Sequence, residues 1–593
     1  MTRPSPAEPP VRRMRRRVGG GMGLNAEGWG WGGWVAGDLV FHHRDTEGHR
    51  GGGCVCFFGE GFWCWLGGVC WTLLAGPCWL VGVCFTMRRR CETNRDSDAP
   101  TDWTSDDTMN STLMTTPRRP RHDESRTKII ATVGPACQAV DKLVELIDAG
   151  VSIFRINTAH GSREDHQNKL DAIRAAGKRI GFEPAVLLDL AGPKIRLGEL
   201  VEEPHFCDIG IKYRFIRGDK SSDPFELTST YRRLIDELNV GDPVMLADGL
   251  VAMEVLSIDD DAAHCVVTAS GTIRSRQGIN LPGAKLSVSS MLPADVNNAI
   301  WGAEQGVDWM SLSFVRSAED VASLKQLLST YDSDAMVIAK IEKPEAMAQL
   351  DSIVEASDGV MVARGDLGVE IDVAKTPMAQ KQIIRVCKEK VKPVIVATQM
   401  LESMHTSSRP TRAEASDVAN AILDGADACM LSGETAIGDH PVQTVKMMSR
   451  IMCWTEAGLQ DQDQDWRHSG GRVQLMTAAV AEAAISIAET IDARCIVIAT
   501  RSGNTAWIAS QSRSAVPILG LSQSEVTRRR LNLLWGVHPL PAEHLDNNVE
   551  LVDVARRWCG PKQPLVAGDK IVLVKGTGVI KRAHNTVVVH TVE

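Results

Sequence analysis

Met336-Val-Ile-Ala-Lys-Ile-Glu-Lys-Pro-Glu-Ala-Met347 sets a lysine and a carboxylate at the end of an apolar run. Such a run is typical of a buried strand, and side chains two positions apart on a strand share a face. Lys340 and Glu342 are therefore predicted to point the same way, with the ammonium beside a potential metal ligand. The alternative is a structural ion pair, because such pairs also place charges near strand ends.

A second stretch, Gly359-Val-Met-Val-Ala-Arg-Gly-Asp-Leu-Gly368, follows the same plan. An apolar strand again delivers polar groups at its carboxyl end, here Arg364, Gly365 and Asp366. Two neighbouring strands would then supply Glu342 and Asp366 as two oxygen ligands for one divalent cation.

Eight such apolar runs occur, and all but the third are followed quickly by a helical pattern. They cover residues 127–133, 152–156, 185–190, 308–314, 336–341, 359–363, 393–398 and 428–431. Eight strand–helix units predict a (β/α)8 TIM barrel, whose chemistry lies at the carboxyl ends of the strands. Those ends hold Arg155, Asn157, Asp189, Lys340, Glu342, Arg364, Asp366, Thr398, Gln399, Ser432 and Glu434.

Two further domains are predicted around the barrel, which takes residues 126–197 and 284–456. Short alternating strands and turns over residues 198–283 predict a small β-barrel lid above the site, able to close and exclude water. An immobile insertion is the alternative. After a polar linker, residues 472–593 predict a three-layer α/β domain with a mostly parallel sheet. Its loop Thr500, Arg501, Ser502, Asn504 and Thr505 could hold an effector phosphate, although helix capping by Ser502 or Asn504 explains it equally well.

Charge and cysteine usage exclude some classes of function. The 593 residues carry 65 basic and 74 acidic side chains, a net charge of -9, without a basic arm in the main body, so no nucleic acid partner is expected. Of 15 cysteines, seven precede residue 92 and the others are scattered singly. No paired CxxC set supports a zinc ribbon or a disulfide framework.

The leader, residues 1–125, shows no helical or strand period and no recognisable domain. The uncharged run from Gly61 to Met87, followed by three arginines, would fit a membrane anchor. The preferred interpretation is a translated upstream region with the true start at Met109 or Met114, because Gly and Pro break the run. A chain beginning there is expected to be soluble and fully active, so a membrane location is not expected.

Five stretches give the chain from about residue 126 onward a close resemblance to the pyruvate kinase family. They are Ile338-Ala-Lys-Ile-Glu342, Met361-Val-Ala-Arg-Gly-Asp-Leu-Gly368, Ala397-Thr-Gln-Met-Leu-Glu-Ser-Met404, Arg409-Pro-Thr-Arg-Ala-Glu414 and Met430-Leu-Ser-Gly-Glu-Thr-Ala436. The resemblance implies phosphoryl transfer from phosphoenolpyruvate to ADP, giving pyruvate and ATP, in a cytoplasmic, allosteric, glycolytic homotetramer. No GxxxxGK[ST] loop is present, so nucleotide must be held in another way.

The resemblance also implies the roles of individual residues. Glu342 and Asp366 would hold Mg²⁺ or Mn²⁺, and Lys340 would stabilise charge on the phosphoryl group in flight. Backbone amides of Ala363, Arg364 and Gly365 would meet the substrate carboxylate, and Thr398 with Ser432 would relay a proton to the enolate. Arg155 and Arg196 would contact phosphate, while Asn157 and His160 lie where the family meets nucleotide.

Three positions depart from the commoner family pattern. Ala159 replaces a serine that helps bind a monovalent cation, Lys194 stands where many members carry glutamate, and Gln277 falls where a lysine often contacts nucleotide phosphate. In the region of Asn157, Asp189, Leu190 and Lys194, the lysine ammonium is expected to replace K⁺, so no K⁺ requirement is predicted. The identity of any effector is left open.

Two rival functions remain at this point. A Mg²⁺-dependent aldolase or lyase acting on pyruvate-type enolates would also suit Glu342 and Asp366. A catalytically silent regulatory homologue would need a lesion among the residues proposed for catalysis, and none is seen. The lid, Lys340 and the carboxyl-terminal domain favour the kinase.

Overall fold

The computed structural model describes residues 125–284, 286–459, 475–561, 564–576 and 586–593, together with five short strands near the amino terminus. The chain divides into two units, Met1–Met109 and Asn110–Glu593. The predicted linker around residues 460–471 and the carboxyl-terminal segment 577–585 lie outside the described residues.

Two small antiparallel sheets occur in the first unit. One pairs Gly32–Ala36 with Leu39–His43, and the other orders Val55–Phe58, Gly61–Leu66 and Val69–Leu74. No strand period predicted them, but Val, Phe and Trp favour strands even without strict alternation. Two segments of the candidate anchor run, Gly61–Leu66 and Val69–Leu74, are thus strands, and its residues 67–68 and 75–87 lie outside the described ranges. Among described residues, no helix is long and apolar enough to cross a membrane.

In the second unit, eight parallel strands close into a barrel, as predicted from the sequence. They are Lys128–Thr132, Val151–Asn157, Ala185–Leu190, Trp309–Leu312, Met336–Ile341, Gly359–Ala363, Val394–Ala397 and Ala428–Leu431. The predicted runs differ from these bounds by one or two residues at some ends. Alternate strand residues such as Ile130, Trp309 and Met361 fill the interior, while their neighbours pack outward against helices.

Amphipathic helices surround the barrel because each strand is followed by a segment with one apolar face. Their bounds are Val140–Asp148, Arg163–Ile180, Pro293–Glu304, Ala318–Thr330, Pro344–Ala348, Leu350–Ala356, Arg364–Glu370, Thr376–Glu389, Arg412–Asp424, Gly433–Ala436 and Pro441–Leu459, with 3₁₀ turns at Val373–Lys375 and Glu402–His405. Ser162 and Thr411 form capping boxes that begin two of the longer helices.

The inserted lid forms a six-stranded sheet and a two-stranded ribbon. The sheet runs in the order Glu226–Leu227, Lys212–Ile216, Ala262–Ala269, Val251–Ile258, Pro243–Leu246 and Ile279–Asn280, and the ribbon pairs Gly271–Ile273 with His205–Cys207. One short helix, Leu234–Glu237, accompanies them. Alternation along the strands buries Tyr213 and Phe215 in a separate lid core while Lys212 and Arg214 stay exposed.

The carboxyl-terminal domain has three layers. Its sheet orders Val537–Pro541, Ile518–Ser522, Cys495–Ala499, Lys570–Lys575 and Thr586–Thr591, with only the last strand antiparallel. The helices are Leu475–Thr490, Asn504–Gln511, Glu525–Leu531 and Asn548–Cys559, and separate apolar clusters cover the two sheet faces. The mostly parallel sheet agrees with the sequence prediction.

This domain contacts the amino ends of the barrel strands. Arg529 pairs with Asp308 at 2.8 Å and Arg513 pairs with Asp427 at 3.0 Å. Trp507 donates to the carbonyl of Val391 at 2.9 Å. This domain therefore packs at the end of the barrel opposite to the carboxyl ends of its strands.

Candidate active site

Lys340 lies at the centre of the carboxyl-terminal end of the barrel. Its Nζ is 2.9 Å from Glu342 Oε1 and 3.6 Å from Asp189 Oδ1, and it donates to Ser313 Oγ at 2.8 Å. Burial favours a neutral amine, but these two carboxylates outweigh it and raise the pKa of Lys340. The ammonium form is thus held in place, and the predicted shared face of Lys340 and Glu342 is confirmed.

Asp189 connects this lysine to Arg155. Asp189 Oδ2 accepts from Arg155 Nε at 2.7 Å, and Oδ1 accepts from Ser311 Oγ at 2.6 Å. Burial opposes the charged form, yet Lys340 and Arg155 lower the pKa of this carboxyl. Arg155 also donates to Thr132 Oγ1 at 3.1 Å. The guanidinium is therefore oriented by two partners before any ligand arrives.

Glu342 and Asp366 bring two carboxylates together from neighbouring strands, as the sequence predicted. Glu342 is almost fully buried and accepts the backbone N–H of Phe314 at 2.7 Å. Burial raises its pKa, and the nearby charge of Asp366 acts in the same direction. Hard oxygen atoms are the ligands that Mg²⁺ prefers. The donor set therefore fits a magnesium ion bound by these two residues.

Lys194 reaches this carboxylate pair from the barrel–lid boundary. Its Nζ donates to Asp366 Oδ1 at 2.9 Å and lies 3.9 Å from Asp248 Oδ1. Burial opposes ionisation of Asp366, but Lys194 lowers its pKa overall. The ammonium thus lies beside a candidate metal ligand, which the sequence alone did not indicate.

The rest of the predicted monovalent-cation region is already hydrogen bonded. The carbonyl of Leu190 accepts from Ser313 Oγ at 2.7 Å, and that of Asp189 accepts from Thr158 Oγ1 at 2.8 Å. Asn157 Oδ1 accepts the backbone N–H of Ala159 at 3.1 Å. Ser313, which donates to Leu190, also accepts from Lys340, so this region adjoins the Lys340 and Arg155 cluster.

Arg364 does not turn its side chain toward the candidate metal ligands. Its guanidinium donates to Asp417 Oδ1 at 2.7 Å and to the carbonyl of Thr398 at 2.9 Å. The N–H of Gly365 donates to Thr398 Oγ1 at 2.8 Å. Of the three amides predicted to meet a substrate carboxylate, that of Gly365 is therefore engaged within the protein.

Thr398 has an unusual backbone. Its φ is +69°, a left-handed conformation that is rare for a β-branched residue. Strain of this kind persists only where the surroundings fix it, and it clusters at functional sites. On the neighbouring strand end, Ser432 Oγ is buried without a hydrogen-bond partner. Two hydroxyl groups thus lie on adjacent strand ends, one strained and one unsatisfied.

Positive charge gathers around His160. Burial is the largest cause of the lowered pKa of His160. The pKa is lowered further by the positive charges of Arg196, Arg155, Lys169 and Lys194. Arg196 is partly fixed, since it donates to the carbonyl of Arg276 at 3.1 Å. Such a concentration of cations suits a polyanionic ligand. Gln277 instead closes a turn, accepting the N–H of Arg274 at 2.7 Å.

The predicted effector loop lies in the carboxyl-terminal domain, and its capping differs from the sequence interpretation. The helix Asn504–Gln511 is capped by Gly503 in a left-handed conformation, without a side-chain cap from Ser502 or Asn504. Thr500 Oγ1 accepts the N–H of Gly503 at 3.0 Å, and Thr505 is buried. The carbonyl of Arg501 accepts from Thr527 Oγ1 at 2.9 Å. The capping alternative is therefore wrong, because the left-handed turn is made by glycine.

Ser311 and Ser313 were missed as candidate site residues. Ser311 lies within the strand Trp309–Leu312 and Ser313 directly after it, and they contact Asp189 and Lys340 respectively. Their spacing of two positions places both hydroxyls on the same face, which is the signal that also identified Lys340 and Glu342.

Known proteins share this arrangement. The family model "Pyruvate kinase, barrel domain" matches residues 124–445, and "Pyruvate kinase, alpha/beta domain" matches residues 478–590. The pyruvate kinase of Geobacillus stearothermophilus is 40% identical over 457 residues, covering 77% of this chain and 78% of that protein. That of Agrobacterium vitis is 43% identical, covering 76% and 95%.

A solved structure agrees with these matches. A crystal structure of a pyruvate kinase from Cryptosporidium parvum superposes with a TM-score of 0.72 at 34% identity, covering 79% of this chain and 96% of that one. The barrel, the two-domain match and the level of identity lead to the same assignment. The chain belongs to the pyruvate kinase family.

Proposed function

We propose that this chain catalyses phosphoryl transfer from phosphoenolpyruvate to ADP. The observation that carries the proposal is the buried Lys340 ammonium, held between Glu342 and Asp189 at the carboxyl end of the barrel. Phosphoryl transfer spreads negative charge over the equatorial oxygens, so a preorganised cation stabilises the transition state. The phosphorus–oxygen bond of phosphoenolpyruvate breaks as a β-phosphate oxygen of ADP bonds to phosphorus.

Glu342 and Asp366 would hold Mg²⁺, or Mn²⁺ in its place. When bound, the ion would neutralise charge on the phosphoryl oxygens. Glu342 is positioned for this role by Lys340 and by the Phe314 amide. Lys194 contacts only Oδ1 of Asp366, at 2.9 Å. The second carboxylate oxygen, Oδ2, would therefore serve the ion.

Arg155 and Lys340 would bind the transferring phosphoryl group. Asp189 orients both cations, so their charges face the same volume at the strand ends. Amides at the start of the helix Arg364–Glu370, those of Ala363, Arg364 and Gly365, would meet the substrate carboxylate. The Gly365 amide would first have to leave Thr398 Oγ1.

Thr398 and Ser432 would deliver the proton that converts the enolate of pyruvate to the ketone. The Thr398 hydroxyl donates to the carbonyl of Ala397 at 2.6 Å, and it would turn away from that carbonyl to deliver its proton. The unpaired Ser432 hydroxyl supports a relay in which water or Thr398 becomes its partner. Proton transfer by a positioned group of this kind contributes about 10²-fold or more.

Asn157, His160 and Arg196 would meet the nucleotide. The lowered pKa of His160 keeps its imidazole neutral beside four cations, and those cations supply the attraction for phosphate. Gln277 would contribute no charge there, so we expect ADP to depend on Arg196 instead. Substitution of Arg196 by Ala should raise the KM for ADP more than the KM for phosphoenolpyruvate.

Lys194 would make K⁺ unnecessary. A unit charge at about 6 Å from a phosphate oxygen contributes about 3 kcal/mol at an effective dielectric of 20. Its contact with Asp366 supports a fixed ammonium in the site. Initial rates in tetramethylammonium buffer should change little when K⁺ is added, while Lys194→Glu should become slow without K⁺. A tenfold or greater activation of the parent by K⁺ would contradict this role.

The finer organisation follows the proposed activity. We infer a cytoplasmic glycolytic homotetramer, with the lid at residues 198–283 closing over the site and residues 472–593 regulating it. The catalytic barrel would comprise residues 126–197 and 284–456. The loop of Thr500, Arg501, Ser502, Asn504 and Thr505 would hold a phosphorylated effector. No residue of the leader, 1–125, takes part in the reaction.

A coupled assay tests the proposal. Purified protein is supplied with phosphoenolpyruvate and ADP, with and without Mg²⁺, and both pyruvate and ATP are measured. Equal amounts of the two products, formed only with Mg²⁺, are expected. Pyruvate consumed or formed with an aldehyde but without ATP would favour an aldolase or lyase instead, and no turnover with Mg²⁺ would contradict the proposal.

A further inference from the structure

Three side chains with metal-ligating atoms converge where two strand-end segments meet, at the edge of the site described above. Glu402 and His405 come from the 3₁₀ turn Glu402–His405, and Glu434 comes from the helix Gly433–Ala436. One ligand atom of each side chain lies within 4.8 Å of the other two. Within the described part of the chain, no other group of three His, Cys, Asp or Glu residues meets this spacing.

The imidazole of His405 lacks a hydrogen bond at the atom that faces the two carboxylates. Its Nε2 is shielded from solvent and has no hydrogen-bond partner. Glu402 Oε1 lies 3.6 Å away, too far for a hydrogen bond. The His405 side chain is 26% exposed, but this ring nitrogen is shielded, and its unused hydrogen-bonding position can accept a ligand.

Gly433 allows the ring to reach this position. A Cβ at residue 433 would lie 2.4 Å from His405 Nε2, so any other residue there would displace the imidazole. The backbone of the segment is also fixed to the same turn, because Asp439 donates its N–H to the carbonyl of His405 at 2.8 Å. The position of the ring is therefore set by both segments.

Glu434 is equally well fixed. It is fully buried, and its two oxygens accept the backbone N–H groups of Leu401 at 3.2 Å and Ser432 at 2.7 Å. Each carboxylate oxygen retains a second lone pair for a cation. Glu402 is more than half exposed, which leaves an entry path from solvent.

We propose that Glu402, His405 and Glu434 bind a first-row divalent transition-metal ion, with Zn²⁺ as the test ion. One imidazole nitrogen and two carboxylate oxygens suit Zn²⁺, Co²⁺ or Mn²⁺ and leave room for water. Mg²⁺ favours oxygen ligands and would choose Glu342 and Asp366 instead. The bound ion would link the turn after Thr398 to the helix after Ser432.

Equilibrium dialysis of the full chain with Zn²⁺, in saturating Mg²⁺, tests this site. The parent is compared with His405→Ala and with Glu402→Gln, which keeps the shape of the side chain. His264→Ala is the matched control, because His264 also contacts a carboxylate, Asp259 at 2.8 Å, outside any group of three. All four proteins carry the same cysteines, so thiol binding contributes equally to each.

The parent and His264→Ala should each bind one more Zn²⁺ per chain than His405→Ala. In Glu402→Gln the affinity of that ion should fall about tenfold to a hundredfold. Indistinguishable isotherms for all four proteins would overturn the proposal and leave His405 and Glu402 as an ion pair.

A second measurement needs only the parent protein. Cu²⁺ occupies such N/O sites more tightly than Zn²⁺. Ascorbate reduces the bound copper, and its reaction with dissolved dioxygen then supplies the oxidant that oxidises the histidine ring that binds it. Peptide mass spectrometry should find the oxidised ring at His405, and excess Zn²⁺ should suppress it. Oxidation of His264 at the same rate as His405, unaffected by Zn²⁺, would contradict the site.

Discussion

At the amino ends of the barrel strands, three aspartates each lie directly before a strand: Asp308, Asp358 and Asp427. One oxygen of each carboxylate accepts a hydrogen bond from a backbone N–H. The donors are Val186, Val337 and Val394, at 2.8 to 2.9 Å. The second oxygen meets Arg529, Lys325 or Arg513 at 2.7 to 3.0 Å. Both oxygens are therefore used within the protein.

At the carboxyl ends, Asp189, Glu342 and Asp366 are paired mainly with cations that face the candidate site. Lys340 is shared between Asp189 and Glu342, and Lys194 reaches Asp366 from the lid boundary. In barrels of this kind, residues at the amino end of the strands serve stability and residues at the carboxyl end serve the chemistry. Acids at both ends pair with cations, but the cations at the amino end come from an outer helix or the carboxyl-terminal domain, whereas those at the carboxyl end belong to the candidate site itself. The origin of the partner cation therefore separates a structural acid from a functional one.

The largest effect should come from Glu342→Gln at the carboxyl end. Loss of one anionic oxygen ligand should lower kcat/KM by about 10³-fold, because the ion and Lys340 would both lose their anchor. The rate is measured against Mg²⁺ concentration, with Mn²⁺ binding followed by electron paramagnetic resonance. Activity above a tenth of the parent, with unchanged Mn²⁺ binding, would remove Glu342 from the functional set.

Thr398→Ala should come next, since it removes a hydroxyl and no charge. We expect the ketonisation of enolpyruvate to slow by about 10²-fold while Mg²⁺ and phosphoenolpyruvate bind as in the parent. The measurement is solvent-proton incorporation at the methyl carbon of pyruvate, together with the KM for phosphoenolpyruvate. A large rise in that KM alone would make Thr398 a binding residue.

Asp427→Asn at the amino end should lower the stability of the protein and leave its chemistry unchanged. Asp427 is fully buried, and Arg513 would be left without its carboxylate. Breaking a buried pair in this way costs about 3 kcal/mol. Thermal unfolding should begin at a lower temperature, with kcat per folded chain within twofold of the parent. A hundredfold loss of kcat would contradict a purely structural role for Asp427 at the amino end.

The smallest effect concerns Lys388, near Asp427 and Arg513. Burial, aided by Arg513, lowers its pKa to about 8 from the usual 10.5. Between about pH 8 and pH 10.5 the unfolded chain binds more protons at Lys388 than the folded chain does, so the free energy of unfolding rises with pH. Below about pH 8 the cost of burying the charge stays constant. Lys388→Met should remove about 1 to 2 kcal/mol of this rise, allowing for partial exposure.

Urea unfolding of the parent and of Lys388→Met at several pH values between 7.5 and 10.5 measures the difference. Other groups that titrate in this range are common to both proteins and cancel. A parent curve that falls relative to the variant as pH rises would contradict the lowered pKa.

The sequence predicted those parts of the site that lie within one strand. Lys340 and Glu342 share a face because a strand repeats every two residues, and the barrel followed from eight runs of the right length. The contact between Lys194 and Asp366 could not be predicted, since the two residues are 172 positions apart and meet only across the barrel mouth. The same holds for Arg529 and Asp308, which join two domains.

Local backbone geometry was also beyond the sequence pattern. Ser502 and Asn504 are ordinary capping residues, yet Gly503 takes the cap because the turn needs a positive φ. Thr398 adopts a positive φ that the conformational preferences of threonine do not favour. A conformation of this kind persists only where the surrounding structure fixes it.

The proposed phosphoryl transfer depends above all on Lys340, the cation at the carboxyl end of the barrel. The most direct measurement is the rate of ATP formation by Lys340→Met, at saturating phosphoenolpyruvate, ADP and Mg²⁺, on protein whose folding is checked by circular dichroism. The account predicts a rate at least about 10³-fold below that of the parent. A folded variant that keeps more than a tenth of the parent rate would contradict it.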